Sequence, residues 1–309
     1  MKRELQVPAK TFLIGEYLAL RGGPAVVLGT RPNFIFQWEV GESRLGDFHA
    51  ESPAGKWLAG SGLRAKVSGG RLGFGSSTAE FLGAWIAKRA ERLSLKGSQR
   101  WVQPIEGDFE GRLSAAWPER HVDVPASWLE LLSDYRSVAP LASGADLLAQ
   151  AVGGVAIWDE RKAVLQRLPW RMRELKFSIF ATGVKLATHS HLQNLNLDAV
   201  ESLRPWAEDA VAGLEAGDAD RVVASIRGCA RELEALGLVT EVTAEHLRAL
   251  DEIPGVRAAK GCGALGADAV LVLHDAEVED ELRRIALQRG LEFFAGEADL
   301  WESNLEFET

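Results

Sequence analysis

Gly73-Phe74-Gly75-Ser76-Ser77-Thr78 sets two glycines and three hydroxyl residues directly before an amphipathic stretch. Glycines let successive backbone N–H groups turn toward one point, and a helix start adds unpaired donors and a positive dipole. Such a loop suits a phosphate, with Ser76 or Ser77 adding hydroxyl contacts to phosphate or Mg²⁺. A purely structural reading stands beside it: Ser77 as N-cap with Glu80 three residues on, a capping box that needs neither glycine. The string does not end Gly-Lys-Ser/Thr as a Walker A loop would. Thr78 holds the third glycine position of Gly-x-Gly-x-x-Gly, and no Gly-x-Ser-x-Gly elbow occurs.

Other chemistry-bearing residues are more scattered. Asp146 follows a Ser143-Gly144 turn and reads either as a helix cap or as a reactive carboxylate. Lys10 closes a strand-like run, where a solvated lysine is the ordinary reading. His189 and His191 stand two apart with no cysteine or acidic third ligand nearby. That spacing argues against zinc and for a surface or substrate-contacting pair.

The elements that must position these groups follow from pattern. Phe12-Leu13-Ile14, Ala25 to Leu28 and residues 33–40 predict strands, with a Gly22-Gly23-Pro24 turn between the first two. Phe81, Leu82, Trp85 and Ile86 recur at helical spacing and predict a helix from Ser77 to Arg92. Helices are expected near 143–152, 198–215, 219–236, 243–251 and 278–289. Strands are expected at 256–259, 269–273 and 291–294. Mixed elements without a βαβ rhythm predict an α+β fold. A domain boundary is placed at 166–176, where Pro169 and a cluster of charges interrupt the pattern, dividing the chain into 1–170 and 171–309.

Bulk properties narrow the class. A net charge of −9 argues against a general nucleic-acid binder, while leaving room for a small anionic substrate in a local basic pocket. The two cysteines, Cys229 and Cys262, form no disulfide framework, and the first residues lack a signal-peptide core. The weakly polar stretch from Val138 to Trp158 contains Asp146 and Gln150, so it is not expected to span a bilayer. The expectation is a cytoplasmic protein. The Trp-rich stretch from Trp101 to Trp128 reads as core or interface anchors, or as part of a lid.

Four motifs in order resemble the GHMP kinase superfamily, which includes galactokinase, homoserine kinase, mevalonate kinase and phosphomevalonate kinase. Val7-Pro8-Ala9-Lys10 through Gly15-Glu16-Tyr17 and Gly22-Gly23-Pro24-Ala25 resembles its first motif, with Ala9 where glycine is usual. Gly73 to Ala79 resembles the second, with Phe74 for leucine. Ser143-Gly144-Ala145-Asp146 to Gly153-Gly154 is similar to a segment of the mevalonate and phosphomevalonate kinases. Ala259-Lys260-Gly261-Cys262-Gly263-Ala264-Leu265-Gly266-Ala267-Asp268 resembles the third motif, with Ala264-Leu265 in place of glycines.

The resemblance implies a two-domain fold: a β-rich N-terminal domain carrying the glycine loop and its helix, and a C-terminal ferredoxin-like α/β sandwich. It implies an ATP- and Mg²⁺-dependent enzyme in which Asp146 takes or orients the acceptor proton. Lys10 would sit beside Asp146 and stabilise charge on the transferring phosphoryl group. Gly73, Gly75, Ser76, Ser77 and Thr78 would hold phosphates, and Ser76 or Ser77 would meet the metal. Glu130 and Asp134 are candidates for a second acidic ligand, with an exposed helix-face charge the ordinary reading of each. Glu16 would support Lys10 or the motif's backbone. Lys260, Gly261, Gly263 and Gly266 would form the third loop, with Lys260 supplying charge or lying in solvent.

Tyr17, Asp268, Thr182, Lys185, His189 and His191 are similar to phosphomevalonate kinase positions and imply contacts to an acidic acceptor, phosphomevalonate first and mevalonate second. Readings as a diphosphomevalonate decarboxylase, a sugar kinase or a non-catalytic metabolite-binding relative stay open at this stage. So does a homodimer.

Overall fold

The computed structural model describes residues 3–40, 48–71, 73–94, 126–184, 196–301 and 307–308. Strands β1 (Arg3–Ile14) and β2 (Ala25–Val40) pair antiparallel along most of their length. Two short runs were expected over 25–40, and one strand is found, although it contains Pro32. The register shifts between Val7 and Ala9, opposite residues 31–33, so the proline falls at an irregularity where a missing N–H breaks no regular ladder. On β2 follow β3 (Leu63–Gly69) and β4 (Val155–Asp159), and β4 carries β5 (Val164–Leu168).

Helices α1 (Pro53–Leu58), α2 (Ser76–Ser94), α3 (Ala126–Val138) and α4 (Ala145–Val152) accompany this sheet. Seven of the eight residues of α4 are buried, because it lies among β1, β2, β4 and α2. That burial explains the apolar run from Val138 to Trp158: it is interior helix and strand. No helix among the described residues is long and apolar enough to cross a membrane.

The second sheet is β7–β8–β6–β9 in spatial order, from β6 (Leu175–Ala181), β7 (Val256–Cys262), β8 (Ala269–Asp275) and β9 (Glu292–Gly296). Helices α5 (Arg204–Ala216), α6 (Ala219–Ala235) and α7 (Glu241–Asp251) fall between β6 and β7, and α8 (Glu279–Gln288) between β8 and β9. This is the split β-α-β order of the expected ferredoxin-like sandwich.

The change of sheet falls between Leu168 and Leu175. The chain does not stay in the second half to its end. Trp301 N donates to Gly29 O at 2.9 Å, and β10 (Phe307–Glu308) pairs with β1. One apolar core runs through both halves, from Leu5 and Phe36 to Leu271 and Ala295. Phe74 of the glycine loop stacks on Phe294 of β9 at 3.7 Å, so the loop itself forms part of the seam.

Candidate active site

A cavity of about 710 Å³ opens where β1, α2, α4 and the third glycine loop meet. Lys10, Ser77, Asp146, Gly263 and Asp268 line it, residues that are far apart in sequence and come from all four motifs. An apolar wall is built by Val138 to Ala142 with Phe12 and Leu20.

Lys10 lies on β1, and its Nζ is 3.8 Å from the Asp146 carboxylate. Both side chains are largely but not wholly covered, with 16% and 23% of their surface exposed. The ammonium also sits 4.8 Å from the Phe12 ring centroid, which gives the lysine stem a fixed wall. Asp146 is in the first turn of α4, whose N-cap is Gly144 in a left-handed conformation. Asp146 is therefore not the cap, and its Oδ1 accepts a hydrogen bond from Leu147 N at 3.0 Å.

The turn before Asp146 is held by Arg136, which sequence reading missed. Its guanidinium donates two bonds to Glu160, at 2.6 and 2.7 Å, and others to the carbonyls of Ala142 and Ser143. The Glu160 carboxylate raises the Arg136 guanidinium above its ordinary value. Tyr135, beside it on α3, is buried, and burial with the nearby Asp146 charge pushes its phenol well above the ordinary tyrosine value.

The glycine loop starts α2 as expected, but with a different cap. Ala79 N donates to Gly75 O, so the cap is Gly75 and Ser77 already lies in the first turn. The capping-box reading is displaced by two residues. Gly75 has φ +97°, and a Cβ there would stand 2.7 Å from Lys10 Cγ and 2.8 Å from Gln150 Nε2. Only glycine allows the loop to lie this close to the lysine stem.

Ser77 is exposed to the cavity and Ser76 is half-buried, whereas Thr78 is buried. The Thr78 hydroxyl oxygen lies 3.0 Å from Gly75 O and also meets the Gln150 side-chain oxygen. A phosphate contact through the Thr78 side chain is replaced by this inward bonding. Gln150 is the hub: fully buried, it donates from Nε2 to Pro8 O at 2.8 Å and to Gly75 O at 3.1 Å. It stands one helical turn beyond Asp146, a spacing that could have revealed it.

Several expected partners lie elsewhere. Glu130 pairs with Arg89 at 2.5 Å, whose guanidinium holds the carboxyl below its usual range, and Asp134 accepts from Trp85 Nε1 at 2.8 Å. Neither lines the cavity, and both hold α3 against α2 instead of a metal. Glu16 does not support Lys10. Its carboxylate takes Lys260 Nζ at 2.6 Å, and Lys260 is fully buried, not solvated. Burial alone would pull the Lys260 ammonium down, but the Glu16 carboxylate paired with it outweighs this and raises it.

Tyr17 is buried, with its phenol pushed well up by that burial, and its hydroxyl accepts from Leu265 N at 3.1 Å. Thr182 bonds the Ala267 carbonyl, tying the end of β6 to the third loop. In that loop Gly261 and Gly266 face each other so closely that a Cβ on Gly261 would lie 2.8 Å from Gly266 Cα. Lys185, His189 and His191 lie outside the described residues.

The cavity offers donors that could hold phosphate and oxygens that could hold a cation. The start of α2 leaves N–H groups without helical partners beside Ser77, and carboxylates of Glu16, Glu51, Asp146 and Asp268 share the cavity with Lys10 and Lys56. Among the described residues no group of three His, Cys, Asp or Glu side chains could hold a metal by itself. This is the usual situation for Mg²⁺, which takes one or two protein oxygens and completes its shell with phosphates and water.

No family model and no curated protein matches the chain in sequence. Solved structures do match in shape. A Lin0012 protein from Listeria innocua superposes with a TM-score of 0.72 at 12% identity, over 100% of this chain and 99% of that one. The Streptococcus pneumoniae phosphomevalonate kinase in complex with phosphomevalonate and AMPPNP gives 0.68 at 15% identity, over 96% and 99%. The Lactococcus lactis galactokinase complexed with galactose gives 0.68 at 12%, over 99% and 95%. From strand order and loop placement to these full-length superpositions, the chain has the GHMP kinase fold.

Proposed function

We propose that this protein transfers the terminal phosphoryl group of ATP to a hydroxyl of a small isoprenoid-pathway acid, 5-phosphomevalonate first and mevalonate second. The observation that carries the reading is the meeting of Lys10, Asp146 and the Ser77 end of α2 in one cavity. Phosphoryl transfer requires little covalent work from a protein and depends on positioning and charge stabilisation. These three groups supply both.

In this reading the N–H groups opening α2, with Ser76 and Ser77, hold the phosphates. Asp146 orients the acceptor hydroxyl and takes its proton. Lys10, 3.8 Å from Asp146, faces the negative charge that spreads over the transferring group. Mg²⁺, when bound, would neutralise phosphate charge, with Ser76 or Ser77 and a cavity carboxylate as its protein ligands. The choice of acceptor rests on the resemblance carried by Gly15-Glu16-Tyr17 and Asp268, since the fold is shared equally with the phosphomevalonate kinase and the galactokinase.

The test is ADP release with 5-phosphomevalonate, mevalonate, homoserine and a set of sugars, each with Asp146→Asn beside the unaltered protein. The expected outcome is turnover with 5-phosphomevalonate that falls by about 10²–10⁴-fold in the variant. Absence of turnover with both mevalonate compounds removes the reading. Carbon dioxide release would mark a decarboxylase, and turnover with a sugar alone a sugar kinase. Nucleotide binding without turnover, unchanged in Asp146→Asn, would mark a metabolite-binding relative.

A further inference from the structure

Leu265 stands in the third glycine loop with φ 52° and ψ 29°, a left-handed conformation that costs a branched side chain energy and costs glycine almost none. Such a residue persists only where its surroundings hold it. Both of its backbone groups are held. Its N–H donates to the Tyr17 hydroxyl at 3.1 Å, and its carbonyl accepts from Thr240 N at 3.0 Å. The preceding residue of the first motif grips the same loop at its other end, through Glu16 and the fully buried Lys260. Lys260 Nζ also lies 3.5 Å from Phe12 O, and Cys262 Sγ donates to Phe12 O at 3.3 Å.

We propose that Glu16 and Tyr17 form a clasp that fixes the third loop in a shape glycines would otherwise adopt unaided, making Tyr17 a positioning residue and not an acceptor contact. The clasp sets Gly263, Ala264 and Asp268 at a fixed height above Lys10 and Asp146, since all of these line one cavity. The loop's own bonds, Gly266 N to Gly263 O and Ala267 N to Ala264 O, both at 3.0 Å, close only while Leu265 stays left-handed. The clasp concerns the loop's conformation. Its effect on turnover rests on the kinase reading above.

The experiment compares the unaltered chain, Tyr17→Phe, Leu265→Gly and the double variant. One readout needs no activity: hydrogen exchange of the Gly266, Ala267 and Asp268 amides, whose partners lie within the loop. Tyr17→Phe is expected to speed their exchange by on the order of tenfold or more, because Leu265 N–H loses its buried acceptor. On the Leu265→Gly background the same substitution is expected to change exchange by less than about threefold, since glycine needs no help to stay left-handed. The second readout is kcat/KM for ADP release, expected to show the same rescue, with a loss on the order of tenfold in Tyr17→Phe alone.

Equal losses on both backgrounds, or no effect of Tyr17→Phe on exchange, would overturn the clasp. Rescue of exchange in a protein that turns over no acceptor would uphold it while removing the kinase reading.

Discussion

The second and third glycine loops face the same cavity and are built on opposite principles. The loop at Gly73–Thr78 takes its backbone shape mainly from its own residues, glycines at φ +93° and +97° and the start of α2, while Gln150 bonds its backbone and Phe74 docks it on Phe294. The loop at Gly261–Gly266 has a leucine where a glycine would sit without strain, and is held from the other sheet by a buried ion pair and a tyrosine hydroxyl. Glycine makes a loop's shape intrinsic, whereas a side-chain clasp makes it conditional on the seam between two halves. The first kind is readable in a short string of sequence. The second is readable only after residues 16 and 260 have been brought together.

The largest expected effect falls on the conditional loop. Lys260→Met leaves the Glu16 carboxylate without its buried partner, and Glu16→Gln leaves the ammonium; each should cost about 3–5 kcal/mol. The double variant should recover much of that loss, because two neutral groups no longer carry an unpaired charge. Urea unfolding of the three variants beside the unaltered chain measures it. Equal stability of Lys260→Met and the unaltered chain would show that the seam, and not the ion pair, holds the third loop.

Next comes the local loop. Gly75→Ala would bring a Cβ to 2.7 Å from Lys10 Cγ in a left-handed backbone, a strain and overpacking cost of about 2–4 kcal/mol. Gly73→Ala meets only Asp268, at 3.4 Å, and should cost about 1–2 kcal/mol, mostly from its φ of +93°. Thermal or urea unfolding should rank the two in this order, and Gly75→Ala should also impair ADP release, because it displaces the Lys10 stem. A third effect tests the anchor. Gln150→Leu removes the bonds to Pro8 O and Gly75 O and should cost about 1–3 kcal/mol. Its exchange signature should be confined to the start of α2 and leave the third loop unchanged.

What sequence could show follows the same division. Helix α2, helices α5 to α7 and the β7–β8 hairpin were legible because their apolar spacing and glycine punctuation are local signals. The order of four motifs made Lys10 and Asp146 partners before any coordinates. Gln150 carried one signal, its place a helical turn beyond Asp146, but its backbone partners Pro8 and Gly75 are distant in sequence. Arg136 was passed over because its bonds go to Glu160 and to backbone carbonyls that no residue pattern displays. Glu130 and Asp134 were candidates for a second acidic ligand only through the resemblance, with a helix-face charge the ordinary reading of each, and α3 turns them toward Arg89 and Trp85. The β4–β5 hairpin was hidden by burial: Val155 to Asp159 is inside on both faces, so it lacks the alternation that marks a half-buried strand. Lys260 was expected to supply charge or to lie in solvent, since a lysine is seldom fully buried unless paired, and its pair lies 244 residues away.

The smallest effect separates the loops by pH. The anchor of the second loop is an amide and does not titrate. Around the third loop's anchor, burial raises the Cys262 thiol to about 11 and the Cys229 thiol to about 12, from an ordinary value of 9.0. Above pH 9 the unfolded chain sheds these protons while the folded chain keeps them, so unfolding is increasingly favoured as pH rises toward the folded values. The loss should reach about 1 kcal/mol per thiol near pH 10.

Urea unfolding under reducing conditions at pH 7.5 and 10, compared between the unaltered chain and Cys229→Ala, measures the difference. The unaltered chain should lose more on going to pH 10 than the variant does, by about the contribution of one thiol. Amides of the third loop should exchange faster at pH 10 than base catalysis alone predicts, and those at the start of α2 should not. Equal alkaline losses in both proteins would exclude Cys229 and leave Cys262, which bonds Phe12 O beside the ion pair, as the thiol to test by Cys262→Ala.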